Sequence, residues 1–325
     1  MSEVEAQWAP FRIEPKISER PWGFRDLRPW YDRVAEGEPI GEVWLTGDDC
    51  QIATGVHAGH RLAELFTESP LLGSMGYNAG SPLLIKIIFA HEKLSVQVHP
   101  DDKMAQKYGH PRGKTECWLV LAAEPGTRLA VGLKPGTSMA DVEEGIRAGK
   151  LEAHLHELPI MAGEMISVDA GTVHAIWPGA ILLEVQQNCD LTYRMYDYGR
   201  GRELHVEKSL EAVRLKTRAG KVAPQRLVDR MVLIDAEYFR VERLAVDGSR
   251  GSEGLRGQKG KRCLSYLFAA AGSGRIAGQG FEPVDLPPRG IVGVPASAPE
   301  FVIENTSGGG ESLDLIRILP NWPGK

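Results

Sequence analysis

The sequence contains no apolar run approaching the roughly 20 residues that a membrane-spanning helix requires. It also lacks a concentrated basic face. Lys and Arg number 38 against 43 Asp and Glu, the formal net charge is -5, and neither half is strongly basic. Nucleic-acid binders carry a clustered basic patch, so that class is set aside. The nearest approach, residues 250–262, is rich in glycine and reads as a solvated loop. Cysteine is scarce. Cys50, Cys117, Cys189 and Cys263 lie far apart and form no CxxC pair, so free thiols are expected rather than a disulfide framework. The first fifteen residues show no basic start followed by an apolar stretch, which argues against a secretory signal and for a cytoplasmic setting. No Gly-rich phosphate loop is present, and no histidine follows His205.

Glycine (37) and proline (21) are plentiful and spread throughout the 325 residues. Between them lie short runs rich in Val, Ile and Leu, at 83–89, 117–122, 165–168, 181–185 and 264–268. Short apolar runs punctuated by turn residues predict a mainly β fold, a sandwich or barrel. The length favours two domains. Helical spacing is confined to a few places. Ser138 and Asp141 form a capping-box pattern ahead of Met139, Val142 and Ile146, with Leu151, Leu155 and Leu158 continuing beyond Gly149. A second helix is expected over 205–215, and a short one over 101–108. The basic stretch KTRAGKVAPQR at 216–226 marks a boundary. The expected domains are therefore 1–222, with a helical insert at about 135–158, and 223–325.

The segment LSVQVHPDD (94–102) carries the first chemistry. In an extended strand side chains alternate, so Ser95, Gln97 and His99 share one face while Val96 and Val98 share the other. In KTECWLVL, Lys114 and Glu116 share a face opposite Cys117, Leu119 and Leu121. In GEMISVDAGTVHAI, His174 follows a Gly-containing turn that leads into a strand. Each feature alone is ordinary: a polar strand face, a surface carboxylate, a packed histidine. Together, two His, one Glu and one amide oxygen suit a divalent metal such as zinc.

The spacing from Gly163 through Asp169 and Gly171 to His174 resembles the second motif of the cupin barrel, with Asp169 where proline is usual. The ordered set QVHPDD, GKTECW, GTVHAI, LEVQQNCDLTYRMYDYGR and RELHVEKSL resembles the type I mannose-6-phosphate isomerases, in their short bacterial form. PWG at 21–23 and IGEVW at 40–44 are similar to that family's N-terminal strands. The resemblance implies a cupin (jelly-roll) β-barrel catalytic domain with a small helical insert, and a smaller cupin-like C-terminal domain. It implies one Zn2+ per chain on Gln97, His99, Glu116 and His174. It also implies reversible conversion of mannose 6-phosphate to fructose 6-phosphate.

Such an isomerisation moves a proton between C1 and C2 through an enediol, so a base must reach both carbons on one face. The candidates are Glu184, Lys114 and a zinc-bound hydroxide. If Glu184 is buried among its apolar neighbours, its pKa is expected to rise; the other reading is a strand carboxylate paired to a cation. The resemblance places an active-site arginine at Arg194, suited to an enediolate or a phosphate. Ser95 and Lys114 are further candidates for the sugar phosphate. A small sugar phosphate is the expected partner, without nucleic acid or membrane, in a monomer or homodimer. Two rival readings share these residues: an isomerase acting on free sugars such as mannose, and a non-catalytic sugar-binding cupin. PRGIVGVPASAPEF at 288–301 looks like a cupin turn without its metal histidine, so no second site of that type is expected there.

Overall fold

A computed structural model describes residues 8–73, 80–252 and 263–321 of the chain, so most of the expected 250–262 loop lies outside the described residues. The chain divides into two compact units that are not sequential. One gathers Ile17–Val43 and Leu84–Val222; the other gathers Met1–Lys16, Trp44–Leu83 and Ala223–Lys325. The expected continuous domain over 1–222 is thus interrupted by two segments that belong with the C-terminal part. One cause is non-local pairing. Strand Phe11–Ile13 lies antiparallel to Ile291–Val294, and Phe11 and Ile13 are buried there.

The second unit is a pair of sheets of seven and four strands. Its core draws Leu244, Leu267, Val292 and Leu315 from one sheet and Ile276, Leu286, Phe301 and Ile303 from the other.

The first unit holds the chemistry. Its larger sheet runs in the order Gly220–Val222, Met165–Val168, Glu116–Ala123, Ala180–Gln187, Leu83–Ala90, Ile40–Trp44 and Lys16–Phe24. Its smaller sheet runs Tyr193–Tyr196, Val96–Val98, His174–Ile176, Arg128–Leu133 and Leu155–Pro159. Between the sheets pack Ile88, Trp118, Val120, Leu129, Val131, Ile166, Ile176 and Leu182. The outer face of the smaller sheet contributes Val96, Val98, Ala130, Ala175, Tyr193 and Met195 to a separate cluster. Helix residues Met104, Val142, Ile146 and Ala212 cover it. The period-2 alternation read from Val96 and Val98 therefore sorts the two faces as expected.

Helix Asp102–Lys107 is capped by Asp101, whose side chain accepts from the Met104 N–H. Helix Met139–Arg147 has the capping box of Ser138 and Asp141. Helix Val206–Ala212 fills the third expected place. The insert ends sooner than the sequence suggested. After Gly149 a single 3-10 turn, Leu151–His154, gives way to strand Leu155–Pro159, which pairs with Arg128–Leu133. Leu155 then faces the helices and Leu158 the barrel interior, which a helix would not allow. No helix among the described residues is long and apolar enough to cross a membrane, and all four cysteines are unpaired.

Candidate metal centre

The interior of the first unit changes character along its strands. On strand Leu83–Ala90, Ile88 and Ala90 face the apolar interior and Lys86, two residues away, shares their face. On Glu116–Ala123 the same step runs from Val120 and Trp118 to Glu116. On Ala180–Gln187 it runs from Leu182 to Glu184. One end of the barrel is therefore apolar and the other carries charge, and the register fixes which residues meet. Gln97 pairs with His174 on one side and with Arg194 on the other, while Trp118 pairs with Glu184.

His99, Glu116 and His174 converge with their candidate ligand atoms all within 4.8 Å of one another, and all three are buried. His99 Nδ1 lies 2.8 Å from Leu191 O, and His174 Nδ1 lies 2.9 Å from Thr172 O. A carbonyl only accepts, so each Nδ1 carries the proton and donates. Each Nε2 then keeps its lone pair, the tautomer a metal ligand needs. These nitrogens stand 3.6 and 3.4 Å from the Glu116 carboxylate. Burial first, and the Lys114 charge second, hold His99 well below the usual imidazole range. Burial pulls His174 down to about 4. Both rings are therefore neutral at neutral pH. Glu116 is held above the ordinary carboxylate range by burial and by the charge of Glu184, and its Oε1 accepts no hydrogen bond. A buried carboxylate oxygen without a donor is costly unless a cation meets it. Two imidazole nitrogens in their lone-pair form and a carboxylate oxygen without a donor fit a divalent ion.

Gln97 stands at the edge of this group, its Nε2 donating to His174 Nε2 at 3.1 Å. Its ligand atom would be the amide oxygen, so ligation requires the amide turned over from this arrangement. The Ser95 hydroxyl is 3.4 Å from that oxygen. The turn before His174 is tied to the same place, because the Gly171 N–H donates to His99 O at 2.9 Å. Gly171 has φ +87°, a conformation that favours glycine.

A network of buried charge extends from the centre. Lys114 Nζ lies 3.1 Å from His99 Nε2 and 2.6 Å from Glu116 Oε2, so its ammonium occupies the lone pairs that a metal ion would take. It is 3.5 Å from Glu184 Oε1, and Lys86 Nζ is 3.1 Å from that oxygen. Lys86 also donates to Glu42 at 2.9 Å, and Arg20 reaches Glu42 at 2.8 Å. The indole N–H of Trp118 donates to the other oxygen of Glu184 at 3.0 Å. The expectation of a raised Glu184 pKa is overturned here. Burial does raise it, but Lys114 and Lys86 outweigh burial and hold the carboxyl below its usual value. Burial opposes the charge on both lysines, yet their carboxylate partners prevail and keep both protonated.

Above this floor opens a cavity of about 450 Å³ whose lining includes Ser95, Gln97, Lys86, Lys114, Glu184 and Arg194. The Arg194 side chain donates from Nη1 to Glu203 O at 3.0 Å, and its backbone N–H donates to His205 Nδ1 at 3.1 Å. All eight residues singled out from the sequence thus meet at one end of one barrel. Sequence reasoning missed Lys86, Glu42, Arg20, Arg202 and Trp118. A signal existed for the first: LLIKIIFA holds a single charge in a strand that proves buried throughout.

Comparison with known proteins decides the family. Residues 11–123 match the model of the phosphomannose isomerase type I catalytic domain. The mannose-6-phosphate isomerase of Streptococcus mutans is 32% identical over 283 residues, spanning 82% of this chain and 86% of that protein. The chain belongs to the mannose-6-phosphate isomerase family. A second relative, the mannose-6-phosphate isomerase ManA of Bacillus subtilis, is 31% identical over 82% of this chain and 87% of its own length. The crystal structure of the mannose 6-phosphate isomerase from Bacillus subtilis superposes with a TM-score of 0.83 at 26% identity, covering 95% of this chain and 99% of that one. The family's cupin fold is the barrel described above, and the chain is an aldose–ketose isomerase by family.

Proposed function

We propose that the protein interconverts mannose 6-phosphate and fructose 6-phosphate in the cytoplasm, with zinc held by Gln97, His99, Glu116 and His174. The observation that carries this reading is the convergence of two neutral imidazole Nε2 atoms and a buried, donor-less carboxylate oxygen at the floor of a polar cavity. A nitrogen and oxygen donor set suits zinc, and family membership supports the sugar phosphate. Bound zinc supplies a Lewis acid that polarises a substrate oxygen.

The chain's own groups supply the remainder. Lys114 is protonated and buried, so it serves as a hydrogen-bond donor to the oxygen that gains charge in the enediolate, rather than as the base. Glu184 is ionised between two ammonium groups. That favours its reading as the carboxylate that positions Lys114 and Lys86, and it weakens the case for Glu184 as the base. Arg194 and Ser95 bind the substrate from the strand that carries Gln97 and from its neighbour.

The test is isomerase activity on mannose 6-phosphate before and after chelation, with zinc added back. Loss on chelation and recovery with zinc are expected. No turnover by zinc-loaded protein would reject the reading, and faster turnover of free mannose would favour the free-sugar isomerase.

A further inference from the structure

Glu116 is the first residue of its strand, so residues 113–115, which bring Lys114 beside it, stand outside the strand ladder. Their three backbone N–H groups nevertheless all find acceptors, as buried donors must. Gly113 donates to Asp102 Oδ1 at 2.7 Å, Lys114 to Pro100 O at 3.0 Å and Thr115 to Gln187 Oε1 at 2.9 Å. Two of these acceptors belong to the turn that follows His99. The third is tied to the same turn, because Gln187 Nε2 donates to Asp102 Oδ1 at 2.9 Å. The partners decide which way this amide points: a backbone N–H only donates, so Thr115 meets the oxygen and the nitrogen faces Asp102.

Thr115 is the joint of the arrangement. Its carbonyl accepts from the Gln187 N–H at 3.1 Å, and its Oγ1 accepts from the Ala170 N–H at 3.3 Å, in the turn that precedes His174. The segments bearing His99, Glu116 and His174 therefore meet at one residue, flanked by Lys114 and Glu116. Gly113 lets the two chains come together, since a Cβ there would stand 2.4 Å from Asp101 C. Gln187 is 1% exposed but turns away from the cavity. Gln186 pairs with Glu116 and shares the inward face with Glu184, which leaves the opposite face to Gln187. The apolar core below, with Trp118, Ile166 and Leu182, does not depend on this amide. A metal centre needs its ligands held to within about 0.5 Å, and groups that fix ligand-bearing backbone supply that precision.

We propose that Gln187 and Asp102 are positioning residues of the metal centre, holding Glu116 and Lys114 against His99 through Thr115 while touching neither ion nor substrate. This rests on the metal-dependent isomerase reading above.

The test compares parent protein with Gln187→Ala, Asp102→Ala and Asp102→Asn. Zinc affinity is measured on the folded proteins by equilibrium competition with a chelator, and kcat and KM are measured on mannose 6-phosphate at saturating zinc. In Gln187→Ala and Asp102→Ala, zinc affinity should fall roughly tenfold to hundredfold, as loss of an outer partner of a metal site implies. The rate should fall through kcat with KM little changed, because Arg194 and Ser95 lie on other segments. Asp102→Asn keeps the Oδ1 acceptor and should recover most of the zinc affinity lost in Asp102→Ala, a rescue that a general loss of stability would not give. The Asp102 pair also serves where Gln187→Ala impairs folding. Zinc affinity equal to the parent's in both alanine variants would overturn the proposal, and so would an Asp102→Asn protein as weak as Asp102→Ala. Parent protein whose zinc affinity depends on Gln187 yet which turns over no sugar phosphate would leave the brace standing and remove the isomerase reading.

Discussion

Glu184 is where residue-level physics departs most from a reading by analogy. A carboxyl in ILLEVQQ invites the inference that burial makes it a weak acid and a usable base. Its partners reverse that, because two ammonium groups stand within 3.1 and 3.5 Å of one oxygen. Removing the charge leaves two buried ammoniums with one fewer counter-ion, and breaking a buried pair costs about 3–5 kcal/mol. Glu184→Gln should therefore lower the unfolding free energy from urea titration by that order as well as slow turnover. A variant of parental stability with slowed C2 proton exchange would restore the base assignment. His174 gives the pH dependence of the metal-free protein. Its folded pKa, about 4, lies below the unfolded value of 6.5. The unfolded chain therefore takes up the proton first as pH falls. The contribution to stability is present above 6.5 and is lost as pH falls toward 4, on the order of 3 kcal/mol in all. Glu116 acts in the opposite sense, since its folded carboxyl lies above its usual value. Urea titrations of the metal-free parent and of His174→Gln between pH 7 and 4 isolate the imidazole. The parent should lose stability more steeply, and parallel slopes would contradict the burial argument.

At the scale of elements, the close approach of two strands explains the glycine of PWG. A Cβ on Gly23 would stand 2.2 Å from the backbone of Ile40, and one on Gly41 would stand 2.5 Å from the Cβ of Arg20. Backbone cannot yield as a flexible side chain can. Gly23→Ala should cost more than about 2 kcal/mol by overpacking, and should impair turnover by displacing Arg20, Trp22 and Glu42. Thermal melting and kinetics check it; a melt within a degree of the parent would show that the strands separate freely. Elements also show what the sequence could reveal. Gln97, His99 and Glu116 were legible because alternation along a strand is a local property, and His174 because its turn needs Gly171. Strand Leu155–Pro159 was not, since leucines at 151, 155 and 158 fit helical spacing and only the partner strand Arg128–Leu133 decides between the two. Lys86 and Glu42 were missed for a related reason. Each lies far along the chain from the groups it serves, and one charged residue on a strand does not announce its counter-ion.

For the whole molecule, the division into two non-sequential units makes a prediction that neither residues nor elements make alone. Each unit has its own apolar core, and the candidate metal group belongs entirely to the unit of Ile17–Val43 and Leu84–Val222. An ion that binds only the folded state stabilises it by mass action, and local opening near the site is opposed by the same free energy. Chelation should therefore raise amide hydrogen exchange in strands Val96–Val98, Glu116–Ala123 and His174–Ile176. Strands Phe239–Val246 and Leu313–Pro320, paired along their length in the other unit, should keep their protection. The diagnostic segments are Phe11–Ile13 and residues 45–52, which precede the metal ligands in sequence but belong with the C-terminal strands in space. They should follow the C-terminal strands and remain protected after chelation. Loss of protection there in step with Glu116–Ala123 would mean that stability is shared as a sequence-contiguous domain would share it, against the division read from the fold.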